Sequence, residues 1–155
     1  MLNYLERKTE KRIFYSYLHR FELTQEHLSP KASRLLLSEI YRHSRIISKR
    51  FDEPLSSVSR NVISAAAWGT IYCLMGATRM IELRPDYREI VDEVELELML
   101  SYTETESEAT IYRDIFSILS ENGLCHSEVS ALIEACMLSH AEGQVFENQV
   151  SAAGA

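Results

Sequence analysis

The sequence predicts an all-α, single-domain bundle of five or six helices with a central buried helix near residues 56–83. Three observations carry that reading. Proline and glycine are scarce, at 3 and 5 of 155 residues, and they fall mostly where helices should start or stop. Apolar residues recur in segment after segment at the i, i+3, i+4, i+7 spacing that collects side chains on one helix face. The single stretch that alternates like a strand has no second strand to pair with. At this length, with 46% hydrophobic residues, the chain can bury a core without disulfides.

The first segment, about residues 3–22, places Phe14, Tyr17, Leu18 and Phe21 on one face and Arg7, Lys8, Lys11 and Arg12 on the other. In "LSPKASRLLLSEIYRHSRIISKRF", Ser29 suits a helix N-cap and Pro30 the first turn, where no N–H partner is needed. Leu36, Leu37, Ile40, Tyr41 and Ile47 then face inward. "FDEP" breaks the pattern, and Ser56 or Ser57 is positioned to cap a third helix that runs to about Leu83. "RPD" stops it. In the fourth segment "EVELELML" alternates like a half-buried strand, but Tyr87, Ile90, Val91, Val94 and Leu98 keep the helical stripe over three turns, so helix is preferred. "TETESEAT" reads as an acidic turn or helix start. The fifth segment brings Ile111, Ile115, Ile118 and Leu119 inward and ends at Asn122 and Gly123, a left-handed stop. Ser127 caps a sixth helix that Gly143 ends. The helical domain is therefore placed at residues 1–142, with 143–155 as a mobile C-terminal tail.

Residues 60–79, "RNVISAAAWGTIYCLMGATR", hold eighteen uncharged residues between two arginines. A membrane span needs about 20 predominantly apolar residues, and Asn61, Ser64 and Thr70 make this stretch too short and too mild. On a helical wheel Ala65, Ala66, Gly69, Cys73, Gly76 and Ala77 gather on one side, and Ile63, Trp68, Ile71, Leu74 and Met75 on the other. A helix apolar all round is a central one. Each glycine in a helix interior costs about 1 kcal/mol relative to alanine, so the pair calls for close packing or marks a break. The sequence assigns a packing seam to Ala65, Gly69, Cys73, Gly76 and Ala77. It faces either a helix of the same chain, the first or the sixth, or a second copy in a homodimer.

The net charge of −7 is unevenly distributed: residues 1–60 hold 12 Lys/Arg against 7 Asp/Glu, and residues 61–155 hold 4 against 16. Such a dipolar chain can steer a charged partner. Cys73, Cys125 and Cys136 form no CxxC pair, and the first residues alternate charges where a signal peptide would need an apolar run. A cytoplasmic location is expected, without a membrane segment.

No residue set names a reaction, and the catalytic residues stay unassigned. Cys136 and His140 are i, i+4 on the sixth segment, but a structural zinc needs four ligands, and the other histidines are scattered; no metal and no cofactor is expected. Glu89 and Asp92, with Glu93 and Glu97 close by, resemble half of the acidic motif of the all-α nucleoside triphosphate pyrophosphatases. That resemblance implies Mg²⁺-dependent hydrolysis. The family's other half, a Glu-Glu-x-x-Glu pattern on the preceding helix, is reduced here to Glu82. "ILSENGLCHSEVSALIEA" resembles a helix-turn-helix, with Val129 and Leu132 inward. A recognition helix brings cations to phosphates, yet residues 114–155 contain no Lys or Arg. Nucleic acid, if bound, would meet Arg42, Arg45, Lys49 and Arg50. The reading that survives elimination is a small cytoplasmic helical protein-interaction module, an adaptor, chaperone, inhibitor or immunity-type partner. The alternatives are an Mg²⁺-dependent small hydrolase working from the acidic helix and a helical nucleic-acid-binding regulator.

Overall fold

The structure is a computed structural model and describes residues 2–103 and 110–153. It contains seven helices: α1 (Leu2–His19), α2 (Pro30–Phe51), α3 (Leu55–Met75), α4 (Ala77–Leu83), α5 (Arg88–Thr103), α6 (Thr110–Glu121) and α7 (Ser127–Ala153). Short 3-10 turns lie at Gln25–His27 and Pro85–Tyr87. No strand occurs among the described residues; "EVELELML" is helical within α5, where Val91, Val94 and Leu98 are buried. The acidic turn or helix start expected at "TETESEAT" lies largely outside the described residues. No described helix is long and apolar enough to cross a membrane.

α3 is the axis of the bundle, touching α1, α2, α5 and α6 along its length. Ile63, Ala66, Ala67, Ile71 and Cys73 are at most 1% exposed, which is what an all-round apolar helix requires. Phe14 and Leu18 of α1 and Leu36 and Ile40 of α2 close the core on one side, and Ile115 and Leu119 of α6 on another. Trp68 sets its ring against Phe21 and Tyr87, with centroids 5.7 and 5.3 Å away.

The helix expected across residues 56–83 is divided at Gly76, which raises the number of helices to seven. Gly76 adopts φ +80°, ψ 159°, a conformation essentially restricted to glycine. The α3 chain ends there and α4 restarts at once. Ser29 accepts a hydrogen bond from the Ala32 N–H as expected of an N-cap. Two other caps differ. α3 starts after Pro54, and the Ser57 hydroxyl donates back to the Pro54 carbonyl instead of capping. α7 is capped by His126, whose Nδ1 accepts from the Glu128 N–H at 3.1 Å; Ser127 is its first helical residue. Gly123 supplies the left-handed stop after α6, at φ +69°, and the Leu124 N–H returns to the Leu119 carbonyl at 2.9 Å. Gly143, expected as a stop, lies inside α7, whose helical backbone continues to Ala153.

Candidate functional site

The small-residue side of α3 meets groups of its own chain. A Cβ on Gly69 would lie 3.2 Å from the Tyr112 ring and 3.5 Å from Ile115 Cδ1, so the neighbour is α6, the fifth segment of the sequence reading, and side chains, not backbone, fill the groove. Burial, with Glu97 and Glu93 nearby, pushes the Tyr112 hydroxyl up to about 12, keeping the ring neutral. Ala65 is half-buried next to it. Further along, Cys73 is buried and its carbonyl accepts the His126 N–H at 2.7 Å. Gly76 lies under the His126 imidazole, and Ala77 is half-buried at the start of α4. We expect Gly69→Leu to lower stability by about 1 to 3 kcal/mol through overpacking and to leave the oligomeric state unchanged. A melting curve paired with sedimentation checks both halves; loss of a dimer without loss of stability would contradict this packing.

The residues suggested for chemistry stand apart. On α5, Glu89, Asp92 and Glu93 are exposed and Glu97 half-buried. Among the described residues, the only group of three His, Cys, Asp or Glu side chains with converging ligand atoms is elsewhere: Glu39 and His43 of α2 with Asp114 of α6. Cys136 directs its thiol toward the Met99 carbonyl, 4.0 Å away.

The Glu39–His43–Asp114 group escaped the sequence reading, although Glu39 and His43 stand at the i, i+4 spacing of helix neighbours. His43 Nε2 lies 3.0 Å from Asp114 Oδ2 and 3.3 Å from Glu39 Oε2. Arg42 completes the set, its guanidinium 2.7 Å from Glu39 and 3.4 Å from Asp114. Burial opposes ionisation of Glu39. Hydrogen bonds with Arg42 and Asp114, together with the charges of Arg42 and His43, outweigh it and hold the carboxyl below its ordinary range. Arg42 already supplies the positive charge a metal ion would bring, so the arrangement reads as an ion-pair clasp between α2 and α6.

A second charged network ties α1 to α2 and α3. Glu10 is 5% exposed, and its carboxylate accepts from Arg45 at 3.2 Å and from the Ser59 hydroxyl at 3.1 Å. Arg45 also donates to Glu6 at 2.6 Å and stacks over the Tyr41 ring. Arg42 and Arg45, half of the cluster considered for nucleic acid, are thus engaged within the fold, while Lys49 and Arg50 are exposed at the end of α2.

Beside that network an open cleft of about 1650 Å³ is lined by α1, the following link and the first half of α2. Its floor is apolar, made by buried Tyr15 and Leu28 and half-buried Leu37; the Tyr15 hydroxyl and Ser33 hydrogen-bond across it. Its rim is cationic. Lys8, Lys11, Arg12 and Arg34 line it, all exposed, and none of them joins the ion pairs seen among the described residues. Of the two acidic residues in the lining, Glu10 is already neutralised by Arg45 and Glu26 is exposed at the far end. Exposed Tyr4 and Leu5 extend the apolar surface at the N-terminal end of α1. The volume exceeds the roughly 300–1,000 Å³ of a small-molecule site and suits a segment of polypeptide. No protein-family model, curated protein or solved structure matches this chain.

Proposed function

We propose that the protein is a helical protein-interaction module that takes an acidic, amphipathic helix of a partner protein in the cleft between α1 and α2. The observation that carries the reading is the combination of an apolar floor with a rim of cations that have no carboxylate partners among the described residues. An amphipathic helix laid in a groove buries its apolar face, and acidic residues on its flanks meet Lys8, Lys11, Arg12 and Arg34. Charge of this kind at a rim sets the approach rate and the choice of partner more than the final affinity. The apolar floor favours a helix over nucleic acid, whose contacts are dominated by phosphates. The α5 carboxylates, without a converging set among the described residues, give a hydrolase less support.

Fluorescence anisotropy with a synthetic Glu/Leu amphipathic helix, and a Lys/Leu helix of the same pattern as control, tests the reading. Binding of the acidic peptide alone is expected, weakening as salt screens the rim. Lys8→Glu combined with Lys11→Glu should weaken it roughly tenfold, since two exposed pairs of up to about 1 kcal/mol each are reversed. Equal binding of both peptides, or no response to charge reversal, would contradict the proposal. Sedimentation over a range of concentrations shows whether a second copy, through its acidic half, can act as the partner.

A further inference from the structure

Cys73 and Cys125 are 52 positions apart in sequence and adjacent in the fold. Cys73 lies on the last turn of α3 with 1% of its surface exposed, and Cys125, in the link between α6 and α7, is half-buried. The His126 N–H bonds the Cys73 carbonyl at 2.7 Å. That bond brings the backbones of Cys73 and Cys125 together, because the Cys125 carbonyl carbon is bonded to the His126 nitrogen. A disulfide bridges α-carbons about 4.4 to 6.8 Å apart. The two side chains also alter each other's acidity, as neighbouring groups do.

We infer that Cys125 is a site of oxidation by hydroperoxides and that Cys73 is the thiol that resolves the product into an intramolecular disulfide. The two sulfurs differ in the way these roles need. The hydrogen bond from Cys73 lowers Cys125 to about 7, against the opposing effect of partial burial and with a further contribution from Ser130. Cys125 also stands just before the first turn of α7, where the helix dipole favours an anion. Cys73 is held well above its usual value by the hydrogen bond to Cys125 and by complete burial, so it stays protonated until a sulfenic acid forms next to it.

In the first step the Cys125 thiolate attacks one oxygen of hydrogen peroxide. The S–O bond forms, the O–O bond breaks, and the departing hydroxide takes a proton to become water. Sulfur loses two electrons and peroxide gains them. In the second step the Cys73 sulfur attacks Cys125; the S–S bond forms, the S–O bond breaks, and the Cys73 proton leaves with the hydroxyl as a second water. Two thiols and one peroxide thus give one disulfide and two waters. The new bond fastens the end of α3, just before the Gly76 break, to the head of α7.

Hydrogen peroxide added to the folded, reduced full chain, followed by denaturing intact-mass measurement and non-reducing peptide mapping, tests this. The expected result is loss of two hydrogens, a Cys73–Cys125 crosslinked peptide, one remaining thiol at Cys136, and full reversal by a dithiol reductant. Cys136→Ser should keep the crosslink, Cys125→Ser should abolish it, and Cys73→Ser should leave a Cys125 sulfenic acid that dimedone traps. Because the crosslink is read on the unmodified chain, a variant that fails to fold does not decide the outcome. Oxidation confined to Cys136, disulfides between molecules only, or a Cys73–Cys125 pair that stays reduced while Cys136 is consumed would overturn the inference.

Discussion

Arg45→Ala is expected to destabilise the bundle by about 3 kcal/mol, the low end of the cost of leaving one member of a buried ion pair without its partner. The reason is Glu10. Its side chain is 6% exposed, and once the guanidinium is gone its carboxylate keeps, among the described residues, only the Ser59 hydroxyl. Arg45 also gives up its stacking over Tyr41 and its bond to Glu6. Glu10→Gln should cost less, because the amide oxygen still accepts from Arg45 and no buried charge is stranded. In the Glu10→Gln background, Arg45→Ala should cost clearly less than it does alone, which is the signature of coupling. Urea unfolding of the four proteins measures this. A loss under about 1 kcal/mol for Arg45→Ala, or strict additivity, would show that the network contributes little.

Gly76→Ala is expected to cost about 2 kcal/mol or more, combining a backbone conformation worth about 1 to 3 kcal/mol of strain for other residues with a steric conflict. The added methyl would lie 2.9 Å from His126 Nδ1 and 3.1 Å from Glu128 Oε2. Both groups are engaged: His126 caps α7, and Glu128 accepts the Thr78 N–H at 3.3 Å at the start of α4. Moving either one loosens a helix end. Gly123→Ala provides the control, because its φ is also positive, at +69°, but its surroundings are open. It should cost only the left-handed penalty, about 1 kcal/mol. Equal losses for the two substitutions would remove the steric part of the account.

The helices were legible because each carries its own instruction. The stripe Phe14, Leu18, Phe21 and the pair Ser29–Pro30 act within a few residues, and they describe the same fold that tertiary packing selects. Gly76 was ambiguous in sequence: a glycine in an apolar run suits either close packing or a break, and the groups that surround the break, His126 and Glu128, come from the cap and first turn of another helix. Glu10 could have been found. The spacing that gives Phe14 and Leu18 runs back to position 10, placing an acid on the inward face and implying a buried partner. The i, i+4 pair Glu39–His43 was equally readable, but its third member, Asp114, comes from α6 and depends on how two helices meet. The cleft was hidden for a related reason. The cationic face of the first helix is plain in the sequence, whereas the cleft is lined by residues of both α1 and α2 and depends on how two helices meet, which no periodicity encodes.

The central claim is that a partner occupies this cleft, and hydrogen exchange on the natural complex tests it most directly. The protein and its Lys8→Glu/Lys11→Glu form are used in parallel to capture partners from native cells, and the protein retained by the first and lost by the second is purified with the parent chain. Amide protection on complex formation is then mapped by mass spectrometry. The account predicts added protection concentrated in residues 4–19 and 25–38, the two walls and the closed end of the cleft, with α5 and α7 unchanged. Protection centred on α5 or α7, with exchange in α1 and the first half of α2 unaltered, would contradict it.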